Sequence, residues 1–291
     1  MDELNVEEKL KIVSGFLLES PPGEINDVYN GMLTFSSSSA YGILMGDDEE
    51  FDRGIKQALR QYNTEQYVTA TLPGQETKVI VSKFGQIEED LYLDPKSQQT
   101  FKFDHLLHTV TDVQPYTVDE TTEHLRSTIE TAISDYITDH YPDGVSTVYY
   151  TDGTYTVAIV DDKFNPQNLW NGKWRSTWVI SPDSDELKGT IKVNVHYYED
   201  GNVQLNSSKE IEITASASSE DPAERAAAYV KSINKAEEDY QSALNESYLD
   251  LSENTFKGLR RALPLTRHKI DWDKVLNYKI GQELATKATI E

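Results

Sequence analysis

The chain has 291 residues, with 27 basic against 50 acidic side chains, a formal net charge of −23, 37% hydrophobic and 10% aromatic residues, and no cysteine. That length suffices to bury a sizeable core, and the composition is that of a folded protein rather than a disordered one. Without cysteine there are no disulfides, thiolate metal sites or cysteine nucleophile, and the negative charge argues against nucleic acid or an anionic membrane as partner of the whole surface.

Residues 1–68 are expected to form an N-terminal helical bundle. Val6, Leu10, Val13, Leu17 and Leu18 recur at helical spacing, Pro21-Pro22-Gly23 stops the run, and Ile25, Val28, Tyr29 and Met32 restart it. A third helix is predicted near 48–66, with Phe51, Ile55, Ala58, Leu59 and Tyr62 inward and acids in its first turn. The opening MDELNVEEKLKIV lacks the apolar stretch of a secretory signal, and no run of 18 apolar residues occurs, so a soluble cytoplasmic protein is expected.

Residues 69–118 read as short strands and connectors, and 119–141 as a helix with Leu125, Ile129, Ala132, Ile133, Tyr136 and Ile137 buried. Residues 142–217 give the clearest pattern, five β-rich runs forming an antiparallel meander. Asp152-Gly153 suits a type I′ hairpin, Asn171-Gly172 reads as a second turn before WRSTWVIS, and Asp200-Gly201 as a third. A long covering helix is expected over 218–250: Asp221 at the N-cap, Pro222 at the first helical position and Glu224 at the third make a capping-box variant. Its stripe of Tyr229, Ile233, Ala236, Tyr240, Ala243 and Ser247 is long for one five-stranded sheet and fits a helix crossing two sheets or a subunit boundary. The fold class is therefore α+β.

Few residues point to chemistry. His105 and His108 lie three apart with no further ligand at metal spacing, and read as surface or half-buried residues. Asp161-Asp162 and Glu88-Glu89-Asp90 can be drawn as an acid/base or cation site, but an acidic run is ordinarily a solvated face. No phosphate loop, GxSxG or HExxH is present, so no enzyme and no cofactor is expected. Trp170, Trp174 and Trp178 allow a carbohydrate-binding alternative. Trp174, Ser176, Trp178 and Ile180 share strand parity, however, which favours a buried face.

The charge is uneven. Residues 256–291 hold eight basic against four acidic side chains, about +4, and the remainder about −27. This C-terminal stretch, 251–291, reads as a basic amphipathic arm split at Pro264, with Lys257 and Arg261 on one side before it. Trp272, Val275, Leu276, Ile280 and Leu284 share one helical face after it. Three readings stand by pattern alone: a terminal helix packed on its own body, an arm docking in a partner's groove, and a membrane-surface helix.

The segments PPGEINDVYN, LDPKSQQTFKFDHL, WNGKWRSTW, HYYEDGNVQL and LPLTRHKIDWDKVLNYKIG, in that order along nearly the whole chain, resemble the α subunits of F-actin capping protein. The resemblance implies a helical stalk, a sheet covered by a long helix, and an obligate, pseudo-symmetric heterodimer with a β subunit whose sheet joins this one edge to edge. It also implies calcium-independent binding to the barbed end of the actin filament, blocking subunit addition and loss, in the cytoplasm and the cortical actin cytoskeleton. By motif position it assigns actin contact to Lys257, Arg261, Arg267 and Lys269, and an apolar anchor to Trp272, Leu276, Ile280 and Leu284. The same four cations are the implied site of inhibitory polyphosphoinositides. Thr177 departs from the family pattern, standing where relatives often carry an acid.

Overall fold

The computed structural model describes residues 5–36, 49–199, 202–217 and 219–250. Three helices open the chain: α1 (Val6–Leu18), α2 (Ile25–Ser36) and α3 (Glu49–Glu65). Asn5 caps α1 reciprocally, its side chain accepting from Glu8 N at 2.8 Å while Glu8 accepts from Asn5 N at 3.0 Å. The three helices share a core of Val13, Leu17, Ile25, Phe51, Ile55, Ala58, Leu59 and Tyr62.

Five short strands follow: β1 (Thr69–Thr71), β2 (Lys78–Ile80), β3 (Leu91–Asp94), β4 (Gln99–Asp104) and β5 (Thr109–Pro115). They form a two-stranded and a three-stranded antiparallel sheet. His105 sits at the end of β4, buried rather than half-exposed as its sequence suggests. Asn63 Nδ2 donates to its backbone carbonyl at 2.9 Å and approaches Nδ1, and Nε2 lies 3.0 Å from the Tyr92 hydroxyl. Burial pushes the imidazole down to about 4 against the opposing pull of Asp90.

Helix α4 (Glu120–His140) leads into β6 (Val145–Thr151), β7 (Thr154–Asn165), β8 (Trp170–Ser181), β9 (Glu186–Tyr197) and β10 (Val203–Thr214), and α5 (Pro222–Asp250) closes the described chain. The sheet is a continuous antiparallel meander in the order β10-β9-β8-β7-β6. Asp152 and Gly153 turn the β6–β7 hairpin, both at positive φ, as a type I′ turn requires. Asn171-Gly172 is not a turn: both residues lie inside β8, paired with Phe164 and Lys163. The chain reverses earlier, through a 3₁₀ turn at Pro166–Asn168 and left-handed Leu169, so β8 begins four residues sooner than its sequence suggests.

The strand parity of the tryptophans holds. Trp178, Ile180 and Ser176 are fully buried beneath the helices, and Trp174 packs at their margin between Tyr141 and Tyr240. Trp178 lies over Gly189 on β9, where a Cβ would come within 2.3 Å of the indole. A fully enclosed Trp178 offers no face for stacking a sugar.

Two helices cover this face. α4 lies over β6 and β7, α5 runs from the β8–β9 turn past the middle of β8 toward β10, and the helices pack side by side. On the opposite face polar contacts seat the helical bundle. Glu24 accepts from Asn171 at 2.8 Å and lies 2.7 Å from His196 Nδ1, Arg175 donates to the Glu65 carbonyl, and Tyr67 bonds Thr177 at 2.5 Å. Thr177 thus has a structural partner at the position where an acid was expected.

Candidate interaction surface

Asp221 accepts from Ala223 N at 3.1 Å and Pro222 occupies the first turn, so α5 starts where its sequence says it should. Tyr229 and Ile233 are fully buried, and Ala236 and Tyr240 half-buried, against the sheet. Beyond Tyr240 the stripe does not stay covered. Ala243 and Ser247 are exposed, and Tyr248 and Leu249 are 44% and 65% exposed. The last ten residues of α5 therefore overrun the sheet of their own chain.

Beneath this overrun β10 forms the edge of the sheet. It pairs with β9 through all 12 of its residues, and among the described residues no strand lies beyond it. Its odd-numbered positions face α5. Ile211 and Ile213 are half-buried there, and Ser207 bonds the Tyr240 hydroxyl at 2.8 Å. Between strand and helix runs an open groove of about 670 Å³ lined by Ile211, Ile213, Ala236, Tyr240 and Ala243, with Lys209, Lys235 and Asp239 at its margin. A strand with one edge open among the described residues, an apolar groove and an overrunning helix lie together, and in physical terms they are an apolar surface left only partly covered.

The opposite edge is covered. On β6 the Val148 N–H donates to Glu130 at 2.7 Å and its carbonyl accepts from Arg126 at 3.1 Å, so α4 side chains cap the strand at this residue, and β2 packs against it, with the Tyr149 hydroxyl donating to the Ile80 carbonyl. Arg126 also pairs with Glu123 at 2.6 Å and with Glu130 at 3.2 Å. Burial raises the Glu130 carboxyl, an effect opposed by its bond from Val148.

The residues assigned to actin and phosphoinositide contact, Lys257, Arg261, Arg267, Lys269, Trp272, Leu276, Ile280 and Leu284, all lie outside the described residues. The described helix ends at Asp250, immediately before the stretch that carries them. The features that sequence reasoning did not single out are Arg126, Glu130 and Glu237, which are buried although no local signal in the helical sequence marks them so. No helix among the described residues is long and apolar enough to cross a membrane.

A sheet whose β6 edge is covered and whose β10 edge has no further strand among the described residues, roofed by a helix that outruns it, presents a surface of the kind by which subunits join another chain. Comparison with known proteins places it more narrowly. The family model for the F-actin capping protein alpha subunit matches residues 13–283. The F-actin-capping protein subunit alpha of Neurospora crassa is 38% identical over 277 residues, covering 94% of this chain and 96% of its own. That of Caenorhabditis elegans is 36% identical, covering 98% and 100%. A solved structure, the homodimeric actin capping protein alpha subunit from Plasmodium berghei, shares the fold with a TM-score of 0.72 at 23% identity, over 91% of this chain and all of the other. The chain belongs to the F-actin capping protein alpha subunit family.

Proposed function

We propose that this chain is the α half of a heterodimer with a similarly folded β subunit, and that the dimer caps the barbed end of the actin filament. Capping blocks both addition and loss of subunits, needs no calcium, and catalyses no reaction. Family membership supports this reading, and the observation that carries it is the open β10 edge beneath the overrunning end of α5. A β subunit presenting its own sheet edge would extend the hydrogen-bond ladder and fill the apolar groove.

Actin contact is then assigned to the C-terminal arm. A body of about −27 repels an acidic filament, and a local basic patch of Lys257, Arg261, Arg267 and Lys269 overcomes that repulsion and orients the encounter. Trp272, Leu276, Ile280 and Leu284 then serve as an apolar anchor. Polyphosphoinositides compete for the same four cations, and the dimer works in the cytoplasm, at the actin cortex.

The test is elongation of labelled actin from filament seeds, with the chain co-expressed with a β subunit. The wild-type dimer should stop barbed-end growth with or without a calcium chelator, and an Arg261→Glu/Arg267→Glu/Lys269→Glu dimer of equal thermal stability should be far weaker. Vesicles containing phosphatidylinositol bisphosphate should relieve capping by the wild type. Unchanged elongation with a folded wild-type dimer would overturn the capping assignment; full capping by the triple mutant would overturn the site.

A further inference from the structure

Glu237 lies on the inner face of α5 and is fully buried. Its four hydrogen bonds all come from neutral donors. Oε2 accepts from the Tyr136 hydroxyl at 2.8 Å and the Tyr141 hydroxyl at 2.6 Å, and Oε1 accepts from Ser176 Oγ at 2.5 Å and Trp178 Nε1 at 2.9 Å. Two donors belong to α4 and the residue after it, and two to β8, so one carboxylate joins the three elements of the upper core. Burial and the adjacent carboxylate both raise the two phenols, which keeps them protonated and donating.

The apolar contacts of α5 do not define one position so sharply. Ala226, Ala236 and Ala243 recur along the stripe with no directional bond to the sheet, and the polar contacts of Tyr229 to Asp185 and of Tyr240 to Ser207 are single and only part-buried. At Glu237, by contrast, four buried donors converge on one acceptor. Displacing α5 by a single turn, about 5.4 Å, removes that acceptor from all of them at once. A buried polar point of this kind is a register device.

Register matters because the far end of the helix is the functional end. From Glu237 the helix runs 13 residues on to Asp250, roughly 20 Å of rise. It carries the exposed Tyr248 and Leu249, and the basic stretch follows it in the sequence. We infer that Glu237 is a positioning residue: it fixes α5 on the sheet, and so sets where the overrun meets the partner chain and where the arm begins. The second half of this inference rests on the capping assignment.

The chain has no cysteine, so register can be read directly by spin labels at Asp183→Cys, beside the start of α5, and at Gln241→Cys on its exposed side. The labelled chain is assembled with a β subunit stripped of reactive cysteines. Glu237→Gln replaces one acceptor oxygen with a donor, and Glu237→Asp keeps the charge but withdraws it by a methylene. Both are mild enough that at least one should fold.

The unsubstituted position should give a single narrow label distance, and the variants a broadened or displaced one. Because the arm's charge is untouched, the rate of binding to filament ends should stay within about twofold while dissociation quickens about tenfold. A distance unchanged in a folded variant overturns the register claim whatever happens to capping. A changed distance with wild-type dissociation overturns the link to the arm. If the unsubstituted dimer does not cap at all, the capping assignment fails, and the label distances still decide the register claim.

Discussion

Along β6 the outward N–H and C=O of Val148 are taken up by Glu130 and Arg126 of α4, whereas along β10 a strand of 12 residues has nothing beyond it among the described residues. The two edges have the same backbone chemistry but not the same length, seven residues against 12, and β2 packs against β6. The helix above differs too. α4 sits squarely over β6 and β7 and aims charged side chains at the edge, while α5 leaves β10 half covered and carries on past it. The lesson is that a closed edge can be satisfied locally by side chains, at the risk of burying charge. An open edge of this length leaves a row of N–H and C=O groups available to a further strand.

The closed edge should therefore be the more fragile to single substitutions. Replacing Glu130 by Leu leaves Arg126 with Glu123 and the Val148 carbonyl but strands the buried Val148 N–H, and removing one partner of a buried pair costs about 3–5 kcal/mol. Denaturant unfolding of the heterodimer should show the loss. A cost under about 1 kcal/mol would mean that the β6 edge is held by packing and not by its polar closure.

On the open side, Ile211→Glu/Ile213→Glu places two charges in the groove without touching the closed edge. Association with the β subunit should weaken at least about 100-fold, close to 3 kcal/mol, by titration of the purified subunits or by loss of co-purification. If the double variant assembles normally, the groove is not part of the interface.

How much of this contrast was legible beforehand depends on the residue. The Asp152-Gly153 hairpin and the Asp221-Pro222 start of α5 carry local rules that survive folding, and both stand where they were expected. Asn171-Gly172 carries the same rule and breaks it. Gly172 is paired to Lys163 within the sheet, because the meander turns instead at Pro166–Asn168. The stripe of α5 announced a helix too long for one sheet, and the exposed Ala243 and Ser247 agree with that reading. Arg126, Glu130 and Glu237 were illegible, since a helical charge is buried only by what tertiary structure brings to it. The cations of the arm were legible through resemblance alone and lie outside the described residues.

A perturbation remote from both edges separates stability from assembly. His105 has its folded pKa near 4, below the unfolded value of about 6.5, so the native state favours the neutral ring. The unfolded chain takes up the proton first, and stability should be complete above pH 6.5. It should fall by up to about 1.4 kcal/mol per unit as the pH drops from there toward 4. His105→Gln should flatten that slope in thermal unfolding measured across this window, while partner affinity at neutral pH stays unchanged. A slope that survives the substitution assigns the acid sensitivity elsewhere.

The smallest effect is expected at the open edge itself. Lys188 and Glu212 face each other across β9 and β10 at 3.8 Å, with side chains 61% and 79% exposed. Solvent screening and the entropy of holding two long side chains leave such a pair worth at most about 0.5 kcal/mol. Glu212→Ala should therefore barely shift unfolding of the assembled dimer, in contrast to the large loss at Glu130. A cost above about 1 kcal/mol would show that β10 stabilises itself through its own cross-strand charges. The contrast between a self-sufficient β6 edge and a partner-dependent β10 edge would then collapse. An effect that deepens only on dilution of the dimer would instead place Glu212 within reach of the partner chain.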